Sequence, residues 1–224
     1  MSNHMKGWES MNAQGLMTLF AGIMQTYKKL KWKEINWKQA ELYVNRLQVR
    51  IVKAVQADKW RLVKRLQKLI TNSFYAKALA VRRVITNKGK NTCGIDGVIW
   101  STDKDKIQAV YNLTAYSYRA KPLKRTYIEK YGKKEKRPLG IPTMIDRAMQ
   151  GLQLLALAPI AETTADKFSF GFRQNRGAQD AMEYMFKLLS RRTSPEWILE
   201  GDIRGCFDNI SHEWMLKNIQ LTKG

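Results

Sequence analysis

KRTYIEKYGKKEKRPLGIPTMIDRAMQ, residues 124–150, changes its pattern twice within one stretch. KRTYIEK (124–130) reads as a strand, YGKKEK (131–136) as a tight turn, and RPLGIPT (137–143) as a returning strand. Together they predict a β-hairpin with a strongly cationic tip. Thr143 followed three residues later by Asp146 has the form of a capping box, so a helix should start there. Its apolar positions Ala148, Leu152 and Leu155 run up to Pro159.

Upstream, the chain reads as helical. Asn36 is a good N-cap, and Ala40, Val44, Leu47, Ile51 and Val55 recur at helical spacing behind it. A second helical run is expected from about 58 to 85, with Trp60, Val63, Leu66, Ile70, Phe74 and Leu79 on its apolar stripe. Its other face carries Arg61, Lys64, Arg65, Lys68 and Lys77, either as a solvated face or as a stripe for nucleic acid. Residues 86–100 read as a loop, because Gly, Asn, Thr and Asp break the pattern. A short helix is expected over about 103–119. Residues 15–27 read as an amphipathic helix with Leu16, Phe20, Ile23 and Tyr27 on one face rather than a signal core.

Downstream, FSFGFRQNRG (168–177) is an aromatic, glycine-containing loop, and a helix is expected over about 178–191. LEGDIRGCFDNISHEW (199–214) reads as the end of a buried apolar strand (196–203) that stops on Asp202, turns, and enters a helix near Ser211. A helical front followed by mixed strands and helices gives the α+β class.

Of 224 residues, 40 are Lys or Arg and 19 are Asp or Glu, for a formal charge of +21. Self-repulsion on that scale asks for a polyanion. Nucleic acid fits better than an anionic membrane, since each cation placed on a phosphate releases counterions. With 44% apolar residues the chain can bury a real core. Cys93 and Cys206 stand far apart and form no CxxC pair, which argues against a zinc site or a disulfide framework and fits a reducing cytoplasm. No apolar run is long enough to span a bilayer, so no membrane partner is expected.

Four ordered blocks resemble one family: GIDG (94–97), RPLGIPTMIDRAMQ (137–150), SFGFR (169–173) and DIRGCFDNISH (202–212). From about Trp32 onward the chain is similar to the N-terminal half of a group II intron-encoded reverse transcriptase and maturase. The resemblance implies an unassigned segment at 1–31, a helical N-terminal region at 32–120, and at 121–224 the fingers and first part of the palm of a right-hand polymerase. It implies an RNA-directed DNA polymerase whose partners are template or intron RNA, a DNA primer and a deoxynucleoside triphosphate. A non-enzymatic RNA-binding module, of the kind that assists splicing, is the alternative; an unrelated basic DNA-binding protein is the third reading.

The family's chemistry is an in-line displacement at phosphorus, clamped by two divalent ions, here Mg²⁺, held on carboxylate oxygens. Asp202 matches the first metal-binding aspartate, and the carbonyl of Ile203 would help hold the ion; alone, Asp202 could as well cap the turn. Phe207 matches the bulky side chain under the incoming sugar, where it leaves no room for a 2′-hydroxyl. Asp208 is not assigned to metal and could cap the helix. Lys130 and Arg137 match the two triphosphate-contacting positions of the fingers hairpin, with Lys124 or Arg125 as a third contact. Two departures stand out: Glu129 occupies the usual proline position, and the span from Lys130 to Arg137 is one residue longer than common, so Lys133 or Lys134 could take the place of Lys130. Arg173 could meet phosphate, with Phe170 and Phe172 packed beneath it. GIDG is a turn that Asp96 could cap.

The family's YxDD tetrapeptide occurs nowhere in the sequence. The expectation is therefore a chain that does not polymerise alone, whose palm strand would be completed by a C-terminal polypeptide. Residues 196–224 would otherwise be exposed.

Overall fold

Helix α1 (Trp37–Gln56) begins where Asn36 Oδ1 accepts from the backbone of Gln39 at 3.0 Å. The computed structural model describes residues 31–116, 118–129, 131–132 and 136–220. The amphipathic stretch expected at 15–27 lies outside them.

The residues at helical spacing in α1 are the ones that become buried: Ala40, Val44, Leu47, Ile51 and Val55. The long run expected over 58–85 is two helices, α2 (Trp60–Asn72) and α3 (Phe74–Thr86), broken at Ser73 with φ −67° and ψ 133°. Thr71, Asn72 and Ser73 are consecutive short polar residues that compete with the helix for backbone partners. Thr71 Oγ1 already bonds back to the carbonyl of Gln67. A 3-10 turn (Lys88–Asn91) follows, then α4 (Asp103–Asn112), which opens on a capping box made by Thr102 and Asp105. It ends sooner than expected, where Leu113 turns to extended backbone and is fully buried.

Strands β1 (Lys124–Glu129) and β2 (Lys136–Ile141) pair antiparallel, as expected, from Lys124 opposite Ile141 to Glu129 opposite Lys136. Helix α5 (Met144–Thr164) starts at the predicted Thr143 cap. It does not stop at Pro159 but continues through it. A proline mid-helix removes the donor owed to the carbonyl four residues earlier. That orphan is Leu155, and Gln48 Nε2 of α1 supplies the missing hydrogen bond at 2.8 Å.

The core lies where α1, α2, α3 and α5 pack together, with α4 against α3. Small residues let α3 and α5 approach closely: Ala76, Ala80, Ala148 and Ala156 are buried, and a Cβ added at Gly151 would lie 3.8 Å from Ala80. Helices α6 (Ala178–Leu189) and α7 (His212–Asn218) lie outside this core, with no fully buried residue in either.

The strand expected at 196–203 does not form, and that expectation is corrected. A strand is held by a neighbour's backbone, and among the described residues β1 and β2 pair only with each other. The segment is irregular and exposed, with Trp197 92% and Leu199 97% accessible. The fold of the described residues is α+β, mostly helical with one two-stranded hairpin.

Candidate nucleotide and nucleic-acid site

The hairpin stands on a single carboxylate. A two-stranded ribbon is marginal in water by itself, so its orientation depends on its base. Tyr118, ahead of β1, donates its hydroxyl to Asp146 Oδ1. Thr143, just after β2, donates its hydroxyl to Asp146 Oδ2 at 2.5 Å and its backbone N–H to the same oxygen at 3.3 Å. The two ends of the hairpin therefore meet on Asp146, which is buried on the first turn of α5. Burial pushes the Asp146 carboxyl upward, but the hydrogen bonds from Thr143 and Tyr118 outweigh it and hold the group below its ordinary value. Burial, and then the bond to Asp146, push the Tyr118 phenol well above its ordinary range.

The GIDG loop is clamped to the same base. A Cβ at Gly94 would fall 2.6 Å from Thr143 Cα, so only glycine allows this approach. Gly97 serves the other purpose expected of the motif, a left-handed turn with φ +68°. Asp96 caps the turn, accepting from the Val98 N–H at 3.3 Å, and its other oxygen pairs with Lys121 at 3.5 Å. Arg147 joins the loop to α5, donating to the carbonyls of Pro142 at 3.0 Å, Gly89 at 2.9 Å and Thr92. Sequence reasoning missed Arg147; a lone arginine beside a capping aspartate carries no periodic signal.

Strand alternation sorts the hairpin side chains onto two faces. Lys124, Thr126 and Ile128 share one face with Ile141, Leu139 and Arg137; Arg125, Tyr127 and Glu129 share the other with Gly140, Pro138 and Lys136. Lys124, Arg125, Lys136 and Arg137 are exposed, and none forms an ion pair among the described residues. Lys130, Lys133 and Lys134 lie outside the described residues.

Arg173 is already occupied. Its Nε donates to the Glu162 carboxylate at 3.1 Å, Nη1 to the carbonyls of Asp166 and Ser169, and Nη2 to the carboxylate and carbonyl of Glu162. These acceptors use all five guanidinium donors. A phosphate at Arg173 would have to displace Glu162. The hydrogen bonds from Arg173 also draw the Glu162 carboxyl below its usual range. The expected packing of the loop aromatics is half met: Phe170 lies 6.1 Å from the Tyr184 ring, but Phe172 is fully exposed on a residue with φ +58°. A left-handed backbone at Phe172 turns the side chain out, which corrects the expectation for that residue. Phe168 packs instead, stacked on Tyr184 at 4.8 Å.

Asp202 and Ile203 lie in the irregular segment, both exposed, and Phe207 is 77% accessible in a 3-10 turn (Phe207–Asn209). Asp202 has no hydrogen bond or ion pair among the described residues. The helix cap is Ser211, which accepts from the Trp214 N–H at 3.2 Å; Asp208 does not cap it. No hydrogen bond, ion pair or ring contact joins Asp202 or Phe207 to the hairpin among the described residues. A single carboxylate and a neighbouring carbonyl do not make a metal site, and no cluster of three or more His, Cys, Asp or Glu side chains occurs among the described residues. Cys93 and Cys206 are both free thiols. No described helix is long and apolar enough to cross a membrane.

The chain matches two family descriptions in succession: the N-terminal domain of reverse transcriptase over residues 32–113, and reverse transcriptase (RNA-dependent DNA polymerase) over 128–223. It is 36% identical over 146 residues to the group II intron-encoded protein LtrA of Lactococcus lactis subsp. cremoris, an overlap of 64% of this chain and 24% of that protein. It is 30% identical over 190 residues to the protein YkfC of Escherichia coli K12, covering 80% of this chain and 48% of that protein. An uncharacterized 91 kDa protein in a cob intron of Schizosaccharomyces pombe is 31% identical over 144 residues, 62% of this chain and 17% of that protein. The chain thus spans half or less of the length of these relatives. With matches to both parts of the enzyme in order, and with its motifs and hairpin, the chain belongs to the group II intron-encoded reverse transcriptase and maturase family.

Proposed function

We propose that this chain is the template- and nucleotide-holding front of an RNA-directed DNA polymerase, incomplete as a catalyst by itself. The observation that carries the reading is the hairpin: a ribbon of exposed cations with no ion pair among the described residues, based on Asp146, whose second strand lies within the stretch matched to the polymerase family. Arg137, together with Lys130, would bind the triphosphate of an incoming deoxynucleotide, the arginine by its fork and the lysine as a point charge. Asp202 and the carbonyl of Ile203 would give one side of a Mg²⁺ site, and Phe207 would wall the sugar. The ion would neutralise charge on the phosphates. A polypeptide carrying the YxDD carboxylates would bring the remaining ligands and cover the exposed 196–220 segment.

The test is primer extension on an RNA template by this chain mixed with a polypeptide of the family that carries YxDD. Extension is expected only from the mixture, and Asp202→Asn is expected to abolish it. Extension that survives Asp202→Asn refutes the metal assignment.

One observation favours the RNA-binding alternative. Arg61, Lys64, Arg65 and Lys68 are exposed along one stripe of α2, and α2 contains no acidic residue and forms no ion pair among the described residues. If splicing assistance without polymerisation is the role, Asp202→Asn leaves RNA affinity untouched, while charge reversal of the stripe removes it.

A further inference from the structure

A groove of about 260 Å³ opens between the end of α3 and the first half of α5. Arg83 and Arg147 supply its only charged side chains; Asn87 and Gln150 add amides, and Val84 and Leu154 form an apolar floor. Neither arginine is paired with a carboxylate among the described residues. Arg147 is held in place by three backbone carbonyls, which fix its guanidinium without cancelling its charge. The carboxylate next to it in sequence, Asp146, is taken up by Thr143 and Tyr118. Two further exposed cations, Lys88 and Lys90, flank Gly89, whose carbonyl receives Arg147.

We propose that this groove binds the phosphodiester backbone of single-stranded RNA, as a site separate from the hairpin. The inference rests on the reading of the chain as a nucleic-acid-binding protein. The exposed guanidinium of Arg83, the fixed charge of Arg147 with its one remaining Nη2 N–H, and two amides, with no acid among them, suit phosphate oxygens, and the apolar floor suits the face of a ribose. The volume falls below the ~300 Å³ at which pockets for whole small molecules begin, and the groove is not an enclosed cavity, which suits a stretch of backbone better than a whole enclosed ligand.

The test is fluorescence anisotropy of a labelled single-stranded RNA against KCl concentration, with the unaltered chain, Arg83→Ala and Gln150→Glu. Lys187→Ala on α6 is the control for loss of one charge elsewhere. Arg83 and Gln150 are exposed, and thermal melts confirm that each variant folds. Arg83→Ala is expected to weaken binding about five-fold and to flatten the log–log salt slope by about 0.7, the signature of one lost single-strand phosphate contact. Gln150→Glu, which puts a negative charge in the groove at constant size, is expected to weaken it about ten-fold, and Lys187→Ala less than two-fold. Affinity and slope unchanged in both groove variants overturn the proposal, even while reversal of the hairpin cations still weakens RNA binding. No RNA binding by the unaltered chain would overturn the nucleic-acid reading itself and this site with it.

Discussion

Asp146→Asn tests whether one carboxylate orients the hairpin. The aspartate accepts from the Tyr118 hydroxyl on one oxygen and from the hydroxyl and N–H of Thr143 on the other. Asparagine keeps the size but retains a single acceptor oxygen, so one side of the arrangement meets an N–H instead. A hydrogen bond to a charged group contributes about 1.5–3 kcal/mol, and a buried partner left unmatched costs a further ~1 kcal/mol. The expected loss is about 3 kcal/mol, which in a chain of this size lowers the melting temperature by about 6–12 °C. Thermal and urea unfolding of Asp146→Asn, Tyr118→Phe and the double variant measure it, and the cycle should return a coupling of about 1 kcal/mol or more. The pH dependence gives a second reading. The folded Asp146 carboxyl lies below its unfolded value of about 4, so its contribution is present above about pH 4 and is lost as pH falls through the folded value. The gap between the native chain and Asp146→Asn should therefore close in acid. A destabilisation under ~0.5 kcal/mol at neutral pH, or additive single variants, would show that the hairpin ends are held by something else.

Two other outcomes follow from the loops. Gly94→Ala should cost about 2–3 kcal/mol, because its Cβ meets backbone that cannot swing away, whereas Gly97→Ala has open space and should cost only the ~1 kcal/mol of a left-handed alanine; urea melts of the two variants would reverse this order if Gly94 is not in contact with Thr143. Arg173→Lys should raise amide exchange across 166–173, since an ammonium cannot reach the carbonyls of Asp166 and Ser169 together with both oxygens of Glu162; unchanged exchange would mean that the loop holds its shape without the guanidinium.

Much of the helical front was legible because its signals are local. Asn36 and Thr143 cap the helices they were expected to cap, and the last helix starts near Ser211 as expected, since an N-cap acts within three residues of itself. The hairpin was legible from alternation and from its cationic turn. What failed depended on partners distant in sequence. The apolar run at 196–203 has the composition of a buried strand, but strand pairing is not local, and the described residues contain no neighbour for it. Arg173 looked like a free phosphate ligand because nothing in SFGFR shows that Glu162, near the end of α5 and eleven residues upstream, points at it. Arg147 and the base on Asp146 were invisible for the same reason: Tyr118, Gly89 and Thr92 lie far from them in sequence.

Pro159 leaves the carbonyl of Leu155 without a helical donor, and Gln48 reaches it from α1. This acceptor exists at one position along α5, so sliding either helix by a residue would leave an amide and a carbonyl both unmatched. The proline therefore acts as a key that sets the register between the first matched stretch, which contains Gln48, and the second, which contains Leu155. Separated at the boundary that sequence comparison draws between them, each stretch would carry half of that lock.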